Sequence, residues 1–191
     1  MRKIAFTLAG LSLLATACVY TDQEVSLKPE IQIDSTHIGE GRRITLTTVD
    51  ERTETTIGHR GAGGYGAEIT VREDVAAVVD AAIAEGLEQQ GFDTTGMLEV
   101  DPRELRVEVR SLKFTYGTGL LAGTQRTEAA LKGICAVNGK REYESLYIGS
   151  TEKEVVVDQF AQQNEADINL ALSQVLNNLL GDQDLLRCLS N

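Results

Sequence analysis

Tryptophan is absent from this chain of 191 residues, and tyrosine and phenylalanine bring the aromatic fraction to only 5%. With so few ring platforms, recognition of sugars or single-stranded nucleic acid by stacking is disfavoured. Two prolines argue against a long rigid linker. Two histidines, His37 and His59, fall in expected loops outside any Ser/His/Asp or Cys/His pattern. With two distant cysteines they make no zinc-ligand spacing, so no metal is expected. Cations are also scarce, at 18 Lys and Arg against 29 Asp and Glu, for a net charge of −11. Phosphate backbones and anionic lipid surfaces repel such a chain, and nucleic acid is excluded as a partner. Solubility accounts for the charge, with cation binding or steering as the sharper alternative. Beyond the amino-terminal stretch, no apolar run reaches transmembrane length.

What the amino terminus does contain is an address. Met1-Arg2-Lys3 is basic, Ile4 to Leu14 is apolar but too short to span a bilayer, and the small residues Ala15-Thr16-Ala17 precede Cys18. The arrangement resembles a bacterial lipoprotein signal. It implies removal of residues 1–17, acylation of Cys18 with palmitate-type chains, a lipidated tether over 18–24 and one domain over 25–191. One acyl chain holds a protein only marginally, at about 0.8 kcal/mol per buried methylene, whereas two or three anchor it stably. Val19 and Tyr20 follow the cysteine, and the lack of Asp at the second mature position resembles outer-membrane sorting. An ordinary secretory cleavage after Ala17 is the rival reading. Ala15 supports it by standing where lipoproteins usually carry Leu. Loss of Arg2 and Lys3 leaves 16 basic residues against 29 acidic ones, a mature net charge of −13.

Periodicity along the rest of the chain predicts an α+β domain: a mainly antiparallel sheet with a long C-terminal hairpin, packed by two amphipathic helices at about 73–90 and 164–180. Val25, Leu27, Ile31 and Ile33 alternate around Pro29 as an extended edge segment. Ile44–Asp50 is β-branched and reads as a strand. Gly58 to Gly66 is a loop without the Gly-Lys-Ser/Thr ending of a phosphate cradle or the register of a dinucleotide fingerprint, and no cofactor is expected. Val75, Val79, Ile83 and Leu87 share a helical stripe closed by Gly91-Phe92. Leu105, Val107 and Val109 lie on one parity and Leu112, Phe114 and Tyr116 on the other, which predicts a bulge near Arg110-Ser111.

Asn138-Gly139 is a two-residue hairpin signal. Counting from that turn pairs Val137 with Lys140, Leu131 with Leu146 and Ala129 with Ile148, and puts Cys135 on the face of Leu131 and Leu146. A final helix capped by Asn164 carries Ile168, Leu172, Val175, Leu176 and Leu179, and a short tail carries Cys188. Cys135 and Cys188 can form a bridge in an oxidising compartment, or each can sit as a separate small hydrophobe.

Val25-Ser-Leu-Lys-Pro29, Asp50-x-Arg52 followed by Ile57-Gly58, the helix ending in Gly91-Phe92, the final hairpin and the Asn-rich last helix together resemble the YajG-like family of bacterial lipoproteins. The resemblance implies an uncharacterised outer-membrane lipoprotein of Gram-negative bacteria, and it supplies no catalytic residues.

The function expected on this basis is a non-catalytic binding or scaffold module at the cell envelope. It would be held to the membrane by the lipid on Cys18, face the periplasm and engage an envelope protein. A carrier of a lipid or cell-wall fragment, or an auxiliary lipoprotein subunit of an envelope transporter, is the alternative. Candidate contacts are Leu120 and Leu121, set between glycines at a hairpin tip, and Asp50 with Arg52, which alternate onto one strand face as an ion pair or a partner contact.

Overall fold

The computed structural model describes residues 21–59, 66–95, 102–118, 123–155 and 161–191. Four strands form the main sheet in the order β2-β5-β6-β7: β2 (Ile44–Asp50), β5 (Arg103–Thr118), β6 (Gly123–Val137) and β7 (Lys140–Val155). A small sheet orders β1 (Gln23–Val25), β4 (Glu68–Val71) and β3 (Gly58–His59) as β1-β4-β3. Helices α1 (Val75–Gln89), α2 (Ala161–Leu180) and α3 (Gln183–Ser190) complete a single α+β domain. The long strands pair antiparallel, while β1 with β4 and β2 with β5 pair parallel.

One face of the main sheet is buried because odd positions of β6 point inward. Leu131 and Cys135 meet Leu105, Val107 and Val109 of β5 and the α2 stripe Ile168, Leu172, Val175, Leu176 and Leu179, all at most 1% exposed. Asp74 caps α1 by accepting from the Ala77 N–H. The helix stops where Gly91 takes φ 87° and the Phe92 N–H returns to the Leu87 carbonyl. Asn138 and Gly139 both adopt positive φ, 52° and 74°, the conformation that closes a two-residue hairpin.

Two bulges set which side chains face the core. The first falls between Val109 and Ser111, where the parity of apolar residues changes. The second lies between Cys135 and Ala136 and corrects the register expected from the turn. Val137 pairs with Lys140, but Leu131 then pairs with Tyr147, Ala130 with Ile148 and Lys132 with Leu146. A one-residue shift exchanges the faces of a strand. Tyr143 and Tyr147 therefore turn toward the helices, and Leu146 and Ile148 turn to solvent.

The segment after β1 also departs from the expected edge strand. Its support is a helix face: Glu165, Asn169, Ser173 and Asn177 of α2 accept from the N–H groups of Ser26, Lys28, Glu30 and Gln32, at 3.1, 2.5, 2.8 and 2.9 Å. Four helical residues advance about 6 Å and two extended residues about 6.6 Å, so the two repeats match over this length. Pro29 falls between rungs, where no donor is required. Asn164, expected as the cap of α2, lies inside the helix, fully buried, with its amide donating to Gln23 Oε1 at 3.1 Å.

Candidate functional site

β2 ends at Asp50, and its last rung to β5 is the bond from the Glu51 N–H to the Val109 carbonyl. The chain then arches over residues 52–56. It rejoins β5 at Ile57, whose carbonyl accepts from the Phe114 N–H at 2.9 Å. Beneath this arch lies the first bulge. Arg52 folds back at the start of the arch, with Nε 2.8 Å from Asp50 Oδ1 and Nη2 2.7 Å from Asp50 Oδ2. The Arg52 side chain is only 8% exposed. Its hydrogen bonds hold the Asp50 carboxyl below the ordinary carboxylate value, against the opposing effect of burial. The two residues thus meet as the alternation predicts, but Arg52 lies past the strand end, on the wall of a cleft of about 100 Å³.

The outer face of the main sheet holds a second feature, which the expected register had placed in the core. Leu146 is 57% and Ile148 50% exposed, on the solvent side of β7. Beside them on β6 lie Ala130 and the half-buried Ile134. Ion pairs frame the patch, Lys132 with Glu144 at 3.1 Å and Arg126 with Glu128 at 3.1 Å. Such exposed pairs add little stability. The β7 edge nearby is blunted by α2: the Ser150 N–H donates to Gln174 Oε1, and Asn178 Nδ2 donates to the Ile148 carbonyl.

On the helical side, Cys135 of β6 and Cys188 of α3 are joined by a disulfide. Asp182 anchors the same corner. Its carboxylate caps α3 through the N–H groups of Asp184 and Leu185 and accepts from the hydroxyls of Tyr143 and Tyr147, each at 2.7 Å. Burial, then the neighbouring carboxylate, raises the Tyr147 hydroxyl well above its ordinary value. For Asp182 burial pushes upward, but the two tyrosine hydroxyls and two backbone N–H groups outweigh it and hold the carboxyl below its usual value. A carboxyl depressed by folding contributes stability that is present above the unfolded value, about 3.9, and is lost as pH falls through the folded one. Asp182→Asn is therefore expected to cost about 2 kcal/mol at neutral pH, from weakened charge-assisted bonds. It should also flatten the loss of stability below about pH 4. Urea unfolding from acid to neutral pH checks both; an unchanged acid limb would remove this carboxylate from the account.

Cys18, Leu120 and Leu121 lie outside the described residues. The first described residues lie at a defined end of the domain. Asp22 Oδ1 accepts from the Glu68 N–H, and Gln23 meets Asn164 in the first turns of α2. Gln125, two residues into β6, meets Asp167 of the same helix. Asp22 and Gln23, the start of β6 and the first turns of α2 therefore share one end. Among the described residues no group of three or more His, Cys, Asp or Glu side chains is placed to hold a metal ion, and no helix is long and apolar enough to cross a membrane.

An α+β domain that, among the described residues, has helices on one face of its main sheet and none on the other defines the class at the level of fold. The chain belongs to the family described as an uncharacterised lipoprotein, whose profile matches residues 29–190. A solved protein of Xanthomonas campestris shares the fold at a TM-score of 0.56 and 11% identity, covering 84% of this chain and 93% of that one. A minor lipoprotein of Acinetobacter baumannii gives a TM-score of 0.47 at 12% identity, covering 78% and 90%. No functionally curated protein matches the chain.

Proposed function

We propose that the protein is an outer-membrane lipoprotein of the YajG-like type, anchored through Cys18 and facing the periplasm, which acts as a non-catalytic binding module for an envelope protein. Membership of a lipoprotein family supports the anchor. Only Val19, Tyr20 and Thr21 separate Cys18 from Asp22, a span of at most about 14 Å. So short a tether holds the end bearing Asp22 close to the bilayer.

The observation that carries the binding role is the open sheet face with Leu146 and Ile148 half exposed on its edge strand β7. Its rim bears both charge signs, which suits a protein surface better than an anionic lipid. The carrier alternative is disfavoured by the layer between α2 and the sheet, which buried side chains occupy.

Photo-crosslinkers placed at positions 144 and 150 of the anchored protein in cells, exposed sites that flank Leu146 and Ile148 on β7, test the reading. A discrete adduct with an envelope protein is expected. It should vanish in a Leu146→Ser, Ile148→Ser variant whose stability stays within about 0.5 kcal/mol of the parent, as for other surface changes. An adduct that survives the double substitution, or none at all, would sink the reading. A Cys18→Ala form is expected in the soluble fraction.

A further inference from the structure

We propose that the cleft at the first bulge of β5 is a binding site for a small oxyanion of the phosphate type. The inference adds a ligand class to the binding-module reading and stands without it, because it concerns a separate surface.

Asp50 takes the Nε and Nη2 edge of Arg52, so Nη1 points away from the carboxylate. That nitrogen is buried and has no hydrogen-bond partner. A buried guanidinium donor left unpaired is costly, and native folds retain one where a ligand or water completes it. Arg52 borders two clefts. The one it shares with Asp50 also carries Glu73 and Asp74 and repels anions. The one under the arch gathers Arg52, Thr53, Thr56, Arg110, Ser111 and Lys113, a set rich in donors.

The bulge is what assembles this set. By adding a residue to β5 it brings Arg110, Ser111 and Lys113 to the arch between β2 and β3. Two acids moderate the charge: Glu54 lines the cleft, and Glu108 holds one nitrogen of Arg110 at 3.2 Å. Guanidinium, ammonium and hydroxyl donors converging from several directions suit a tetrahedral oxyanion, which accepts on every oxygen. The cleft volume of about 100 Å³ equals roughly three waters and admits one such group.

The test uses the mature lipoprotein in an uncharged detergent, titrated with inorganic phosphate at constant ionic strength, with backbone amide shifts as the readout. Saturable shifts at Arg52, Thr53, Ser111 and Lys113 are expected. Arg110→Gln and Lys113→Gln, both solvent-facing changes that leave the Asp50–Arg52 pair intact, should each weaken binding by about tenfold, the worth of one charge-assisted bond. A parallel titration with glycerol 1-phosphate identifies the source. Saturation by both ligands means that the cleft accepts a monoester, and saturation by phosphate alone means a free ion. Non-saturating shifts, or an affinity in both variants equal to that of the parent, would overturn the proposal. The reading of the sheet face would be untouched, since its crosslinks report on other residues.

Discussion

Replacing Cys135 and Cys188 together with alanine is expected to lower the unfolding free energy by about 4 kcal/mol, the chain-entropy value for a loop of this length. The bridged residues are separated by 53 positions. That loop contains the end of β6, all of β7 and α2 and most of α3, so the bridge limits how far α3 can stray from the sheet once its own contacts loosen. Leu185, Leu186 and Leu189 of α3 are fully or nearly fully buried, yet eight residues form a marginal helix when undocked. A fall in melting temperature of about 10 °C is the measurable consequence for a domain of this size. Two free thiols in the mature protein by non-reducing mass spectrometry, or an unchanged midpoint in the double variant, would contradict the expectation.

The elements legible in the sequence were those whose cause is local. Val75 to Leu87 repeat with helical spacing, Asn138-Gly139 is a turn by its own chemistry, and the bulge near Arg110 is written in the change of apolar parity from Val109 to Leu112. Features that rest on distant partners were not legible. Both parities of β7 carry large apolar side chains, Tyr143 and Tyr147 on one and Leu146 and Ile148 on the other, so counting from the turn could not reveal the second bulge. What selects the tyrosines is Asp182, far along the chain, whose carboxylate satisfies both hydroxyls at the helix side of the sheet. Placing the tyrosines inward forces the leucine and isoleucine outward, and the exposed patch follows from that choice.

The same limit applies to the segment after β1. Its rungs come from an α2 stripe of Glu165, Asn169, Ser173 and Asn177, and side chains spaced every fourth residue read from sequence as an ordinary solvated helix face. The Asp50–Arg52 pair was legible from alternate spacing. The burial of Arg52 was not, because it depends on an arch that closes only when Ile57 returns to Phe114. The parallel pairings of β1 with β4 and β2 with β5 likewise join segments far apart in the chain.

Gly149→Val is expected to destabilise the domain by about 3 kcal/mol, at the upper end of overpacking costs. Gly149 pairs with Ala129 on the inner face of the sheet, directly beneath α2. A Cβ there would lie 2.2 Å from the Ala171 carbonyl oxygen and 2.6 Å from the Val175 nitrogen. Both are backbone atoms in the middle of a helix, and neither can rotate aside as a side-chain tip would. Relief requires α2 to lift as a body. That motion would strip cover from Leu131 and Leu105 and lengthen the bonds by which Gln174 and Asn178 cap the β7 edge. Freed of that cap, Ile148 and Ser150 would present an unpaired edge beside two exposed apolar residues, the arrangement that invites strand-to-strand association. The variant should therefore show both a lower urea midpoint and concentration-dependent self-association, read by sedimentation. Gly149→Ala should fall between the parent and Gly149→Val in both measurements. A valine variant as stable and monomeric as the parent would mean that α2 does not rest on the sheet at this glycine.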